Sequence, residues 1–97
     1  MAVIEIVRFR LKDGVDEGEF HQINERFQQE VVPTLPGLQR REATHSPEGE
    51  WLLVLRYADM ESASRAMQSD SSEVSRALIS FIDMGSMNFG RYEIVSE

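Results

Sequence analysis

The chain opens on β-branched and aromatic residues, Val3, Ile4, Ile6, Val7 and Phe9, and residues 2–11 are predicted as a strand. Asp13-Gly14 is a turn signal. Apolar positions then recur at Phe20, Ile23, Phe27 and Val31, the spacing of one helix face. Asp16 and Glu19 have the arrangement of a capping box at its start. Pro33 stops this helix, because it lacks an N–H and restrains Val32. Pro36-Gly37 is a second turn, and residues 38–45 read as an extended but polar segment. Ser46-Pro47-Glu48-Gly49 turns the chain into Trp51 to Tyr57, the clearest strand, so residues 38–57 form a hairpin. Asp59 caps a helix to about Gln68, with Met60, Ala63, Ala66 and Met67 inward. Asp70-Ser71-Ser72-Glu73 is a further candidate capping box. Val74, Ala77, Leu78, Phe81 and Ile82 follow as an amphipathic stripe that Met84-Gly85 ends. Residues 86–95, with Met87, Phe89, Tyr92, Ile94 and Val95, make the last strand.

The order is strand, helix, strand, strand, broken helix, strand. That is the ferredoxin-like βαββαβ arrangement, an α+β fold with helices on one face of a four-stranded antiparallel sheet. With no internal linker or low-complexity stretch, residues 1–97 are expected to be a single domain. Two helices leave the other sheet face open. On the first strand one parity is Glu5, Val7 and Phe9, the other Ile4, Ile6, Arg8 and Arg10. On the third they are Trp51, Leu53, Leu55 and Tyr57 against Leu52, Val54 and Arg56. Both parities are substantially apolar, so the sequence leaves open which one the helices cover. Either choice exposes an apolar patch, and a homodimer joined through the sheets is expected to bury it.

Hydrophobic residues make up 41% and charged residues 28% of the chain, the usage of an ordered globular protein. No apolar run approaches the roughly 20 residues of a spanning helix. Charges at Glu5 and Arg8 interrupt any signal-peptide core, so secretion is not expected. There is no cysteine, hence no disulfide, thiolate nucleophile or zinc–thiolate site. The formal charge is −7, and the ten bases, of which Arg40-Arg41 is the tightest cluster, are scattered. Nucleic acids and anionic membranes are therefore poor partners, and the expected location is the cytoplasm.

The opening Ile4-Glu5-Ile6-Val7-Arg8-Phe9-Arg10-Leu11-Lys12-Asp13-Gly14 resembles the stress-responsive A/B barrel family of the dimeric α/β-barrel superfamily. Pro36-Gly37-Leu38, Ser46-Pro47, Trp51-Leu52-Leu53-Val54 and the helix capped at Asp59 resemble the antibiotic biosynthesis monooxygenase family. The resemblance implies a homodimer whose two sheets close into a barrel, with a small organic ligand between sheet and helices. Activities it implies include cofactor-free oxygenation of polycyclic phenols, polyketide cyclisation and haem degradation. The chain departs from the cyclase pattern, because the positions that match its two histidines carry Glu5 and Ser72. It departs from the haem-degrading pattern as well, since residues 73–83 contain no histidine. No cofactor is expected.

Glu5 interrupts an apolar strand. If its parity faces the helices, burial raises its pKa and makes it a candidate general base. The alternative is a structural ion pair, for example with Arg41. Arg40 and Arg41 point to opposite faces, and an inward arginine either holds an anionic substrate or bridges subunits. Arg41, Trp51, Tyr57, Asn88 and Tyr92 are the candidate pocket residues, with core packing or backbone bonding as the competing roles. The two histidines, His21 and His45, show no second ligand at metal-binding spacing, so no metal site is expected. Three functions compete: a cofactor-independent monooxygenase-like enzyme acting on a hydrophobic or phenolic metabolite, a non-catalytic binding module, and a stress-responsive or structural homodimer. A cavity separates the first two from the third, and turnover in air separates the first from the second.

Overall fold

The computed structural model describes residues 1–69 and 72–97, the side chains of 67–69 excepted. Four strands, β1 (Val3–Leu11), β2 (Leu38–His45), β3 (Trp51–Tyr57) and β4 (Ile82–Glu93), form one sheet in the order β2-β3-β1-β4. Every neighbouring pair is antiparallel. Helices α1 (Glu17–Arg26), α2 (Met60–Ser69) and α3 (Glu73–Ser80) connect them in the ferredoxin-like order βαββαβ, the expected broken helix being α2 and α3.

Burial decides the strand parity that the sequence left open. Val3, Glu5 and Phe9 of β1 are buried, as are Trp51, Leu53, Leu55 and Tyr57 of β3. Ile4, Ile6, Leu52 and Val54 are only partly covered. The helices therefore pack on the face that carries Glu5. The core centres on aromatic rings. Phe20 of α1 meets Trp51 edge-on at 4.8 Å and Phe9 at 6.0 Å.

Local signals act as expected at the starts of α1 and α2. Asp16 accepts a hydrogen bond from the Glu19 N–H at 3.1 Å, and Asp59 accepts one from the Ser62 N–H at 2.7 Å. Beyond Arg26 the backbone widens into a π turn, Phe27–Val31, which keeps Phe27 and Val31 buried, and then tightens into a 3-10 turn at Val32–Thr34 around Pro33. Three details differ from the sequence reading. Met60 is 38% exposed rather than inward. Ser72 caps α3 by accepting from the Ser75 N–H at 3.1 Å; Asp70 and Ser71 of the expected capping box, like the Met67 side chain, lie outside the described residues. The last strand starts at Ile82 rather than residue 86, because Ile82 pairs with Leu11 and Asp83 with Arg10. Met84 and Gly85 therefore lie in an irregularity of β4 beside Arg10, whose N–H donates to Ser86 Oγ at 2.8 Å.

Two glycines share φ +81° but differ in their surroundings. A Cβ at Gly14 would meet nothing within 4 Å, whereas one at Gly37 would collide with the Ser62 side chain. Gly14→Ala is expected to cost about 1 kcal/mol through backbone strain alone. Gly37→Ala adds the clash and is expected to cost about twice as much. Equal losses in urea unfolding would show that the Gly37–Ser62 approach carries no energy.

No helix among the described residues is long and apolar enough to cross a membrane.

Candidate functional site

Glu5 lies in the middle of β1, opposite Leu55 on one side and Arg91 of β4 on the other. Cross-strand partners project from the same face, so Arg91 reaches Glu5 beneath the helices. Arg91 Nε donates to Glu5 Oε2 at 3.1 Å, and Nη2 lies 3.0 Å from the same oxygen. Arg91 Nη1 donates to Ser64 Oγ at 3.2 Å, and its guanidinium stacks over the Phe89 ring at 5.3 Å. The arginine thus ties β1, β4 and α2 together.

A cavity of about 270 Å³ adjoins this pair, between the sheet and the helices. Glu5, Tyr57 and Ser75 are the polar side chains of its wall, which is otherwise apolar, with Val7, Phe27, Leu53, Leu55, Leu78 and Met87 among its residues. Its size falls just below the roughly 300–1,000 Å³ range of small-ligand pockets, room for a compact ligand. Burial pushes the Glu5 carboxyl above its ordinary value, and the hydrogen bond and charge of Arg91 only partly oppose it. The site therefore joins an apolar, ligand-sized space to a carboxyl whose affinity for a proton is increased. It can receive a proton from a bound acid, with the Arg91 guanidinium behind Glu5, outside the cavity wall, as the nearby positive charge.

The remaining candidate residues separate. Tyr57 is 2% exposed and shares the cavity with Glu5. Arg41 is buried, but it lies on β2, and β3 separates that strand from β1. It cannot be the partner of Glu5, and Arg91 takes that role. Arg41 donates instead to Asn24 Oδ1 at 2.8 Å and Gln28 Oε1 at 3.0 Å, with its guanidinium 4.7 Å over the Phe27 ring. Burial pushes its pKa down to about 10, against the opposing charges of Glu25 and Tyr57. Trp51 sits in the aromatic core rather than on the cavity wall. Asn88 and Tyr92 face the other side of the sheet, across from Arg8 and Ile4, and line a separate depression of about 420 Å³ there with Ile6 and Leu52. The grouping of Arg41, Trp51, Tyr57, Asn88 and Tyr92 into one pocket is thus corrected. Strand alternation and strand order divide those residues among separate places.

Arg91 was absent from the sequence candidates. The signal went only part of the way: the βαββαβ order sets β4 beside β1, but the register that puts Arg91 opposite Glu5 comes from the tertiary structure. The histidines also differ from expectation. Glu17 and His21 are one helical turn apart on α1, and the end of β2 brings His45 beside them.

No family model matches the chain, and no curated protein does. Solved structures match closely in shape. SnoaB, a cofactor-independent oxygenase from Streptomyces nogalater, superposes with a TM-score of 0.79 at 15% identity, covering 99% of this chain and 95% of its own. A proposed antibiotic biosynthesis monooxygenase from Caulobacter crescentus CB15 gives 0.76 at 15% identity, covering 98% and 91%. The ActVA-Orf6 monooxygenase of Streptomyces coelicolor, solved with nanaomycin D, gives 0.72 at 17% identity, covering 99% and 89%. The chain has the ferredoxin-like fold of antibiotic biosynthesis monooxygenase-like proteins.

Proposed function

We propose that this chain is a cytoplasmic homodimer that binds a small hydrophobic or phenolic metabolite in the Glu5 cavity and oxygenates it without a cofactor. The observation that carries the reading is a buried carboxyl with a raised pKa on the wall of an apolar, ligand-sized cavity. The likeness in fold to a cofactor-independent oxygenase and to a monooxygenase solved with nanaomycin D supports it. Glu5 is the general base and removes a proton from an acidic C–H of the bound phenol. Both Arg91 contacts fall on Oε2, which leaves Oε1 to take that proton. Arg91 lies behind Glu5 rather than on the cavity wall, so once Glu5 is protonated the guanidinium's positive charge balances the carbanion at longer range, and the apolar wall excludes water. The carbanion passes an electron to dioxygen, and recombination of the two radicals gives a hydroperoxide. Loss of water turns the original CH₂ into a carbonyl, so one oxygen atom enters the product and the other leaves as water.

The dimer rests on the uncovered face of the sheet. Ile4, Ile6, Leu52 and Val54 are partly exposed there, and Tyr92 is 59% exposed. Asn88 and Tyr92 belong to this subunit interface rather than to the cavity.

The test pairs assembly with turnover. The expected solution mass at micromolar concentration is that of a dimer, and a monomer mass overturns the assembly. An air-oxidisable polycyclic phenol is then supplied, with oxygen uptake and product mass recorded. Glu5→Gln is expected to retain phenol binding and lose about 10²-fold in kcat, the lower end of what general bases contribute. Binding without oxygen uptake by the wild-type chain would make the protein a binding module, a role that the satisfied Glu5–Arg91 pair also fits. No binding would overturn both.

A further inference from the structure

We propose that Glu17, His21 and His45 form a binding site for one divalent transition-metal ion of the Zn²⁺ type, apart from the Glu5 cavity. Each of the three offers one ligand atom, and these atoms lie within 4.8 Å of one another. His21 Nε2 is already 3.8 Å from Glu17 Oε1. Ligands bound at about 2.1 Å in a tetrahedron stand about 3.4 Å apart, so only a small closure of exposed side chains is needed.

The scaffold favours that closure. Glu17 and His21 lie at i and i+4 on α1, so they project from the same face of a rigid element. His45 ends β2 and comes to them from the sheet. The two imidazoles stand 5.8 Å apart, and both pack on the buried Trp51 ring, at 5.2 Å for His21 and 5.0 Å for His45. Trp51 thus forms a fixed floor beneath the donors. His45 Nδ1 lies 3.3 Å from the Ser46 carbonyl, which only accepts, so Nδ1 carries the proton in that contact. The lone pair is then on Nε2, which is how a partner beyond the ligands fixes a metal-binding imidazole. Two imidazoles and one carboxylate suit zinc, nickel or copper rather than magnesium or calcium. Three protein ligands leave a fourth position for water.

The chain reports on this site itself, because Trp51 is its only tryptophan. The tag-free chain is titrated with Cu²⁺ while Trp51 fluorescence is followed, and with Zn²⁺ by calorimetry. The expected results are quenching that saturates at one equivalent of Cu²⁺ and a single Zn²⁺ per chain. His21→Ala, His45→Ala and Glu17→Gln are each expected to weaken binding at least about 10-fold, the scale on which loss of even an outer partner acts. All three positions are exposed, so the variants are expected to keep the wild-type circular dichroism. Quenching that rises without saturation, zinc heat that the variants leave unchanged, or no binding at millimolar metal would each overturn the proposal.

Discussion

Arg91→Leu is expected to lower stability by about 3–5 kcal/mol at pH 8, the cost of removing one member of a buried ion pair. The leucine leaves Glu5, with a side chain only 6% exposed, without its counter-charge. The loss is expected to depend on pH, and the sign follows from the direction of the shift. The folded chain already holds the Glu5 proton more tightly than the ordinary value of 4.5. A group raised on folding contributes stability below its unfolded pKa, and that contribution is lost as the pH rises through the folded one. Without Arg91 the folded pKa climbs further, because only burial remains. Acidification from pH 8 towards pH 5 is therefore expected to restore much of the variant's stability relative to wild type. Glu5→Gln/Arg91→Leu, with no charge to bury, is expected to recover most of the loss at pH 8. Urea unfolding at the two pH values measures all of this. A loss that is the same at both would show that Glu5 is not the group left unpaired.

Phe20→Ala is expected to cost about 3–5 kcal/mol, the range for emptying a buried aromatic site. Phe20 is 1% exposed and touches rings from three elements, Phe9 on β1, Trp51 on β3 and Phe81 at the end of α3. None of these can close the gap without leaving its own strand or helix. A loss this size is a large part of the roughly 5–15 kcal/mol that holds a small domain folded. Phe20→Leu keeps more of the volume and is expected to cost about half as much. Urea unfolding monitored at Trp51 gives both values, and a loss below about 1 kcal/mol would mean the α1–sheet contact repacks freely.

Much of the fold was legible because it rests on local signals. The period-2 run at Trp51–Tyr57 and the 3.6-residue stripe at Phe20, Phe27 and Val31 each bury what their pattern selects. Asp16 and Asp59 cap the helices they precede. The start of β4 was not legible, because Phe81 and Ile82 suit a continued helix face as well as a strand. Pairing of Ile82 with Leu11 decides between them, and that contact is between residues distant in the chain. The candidate site divides in the same way. Glu5 stood out as an acid within an apolar strand, but its partner did not. Arg41 and Arg91 were equivalent until the strand order put one beside β1 and the other beyond β3.

The sequence by itself determined the succession of elements, the starts of α1 and α2 and the oddity of Glu5, since each depends on neighbours within a few residues, and its lack of cysteine settled the absence of thiol chemistry. Only the tertiary structure decided which sheet face the helices cover, that Arg91 answers Glu5, that Asn88 and Tyr92 lie across the sheet from the cavity, and that His45 meets Glu17 and His21. Local periodicity fixes which side chains share a face. Which faces and strands meet is set by long-range packing, where burial of the most apolar parity and antiparallel register outweigh any local preference.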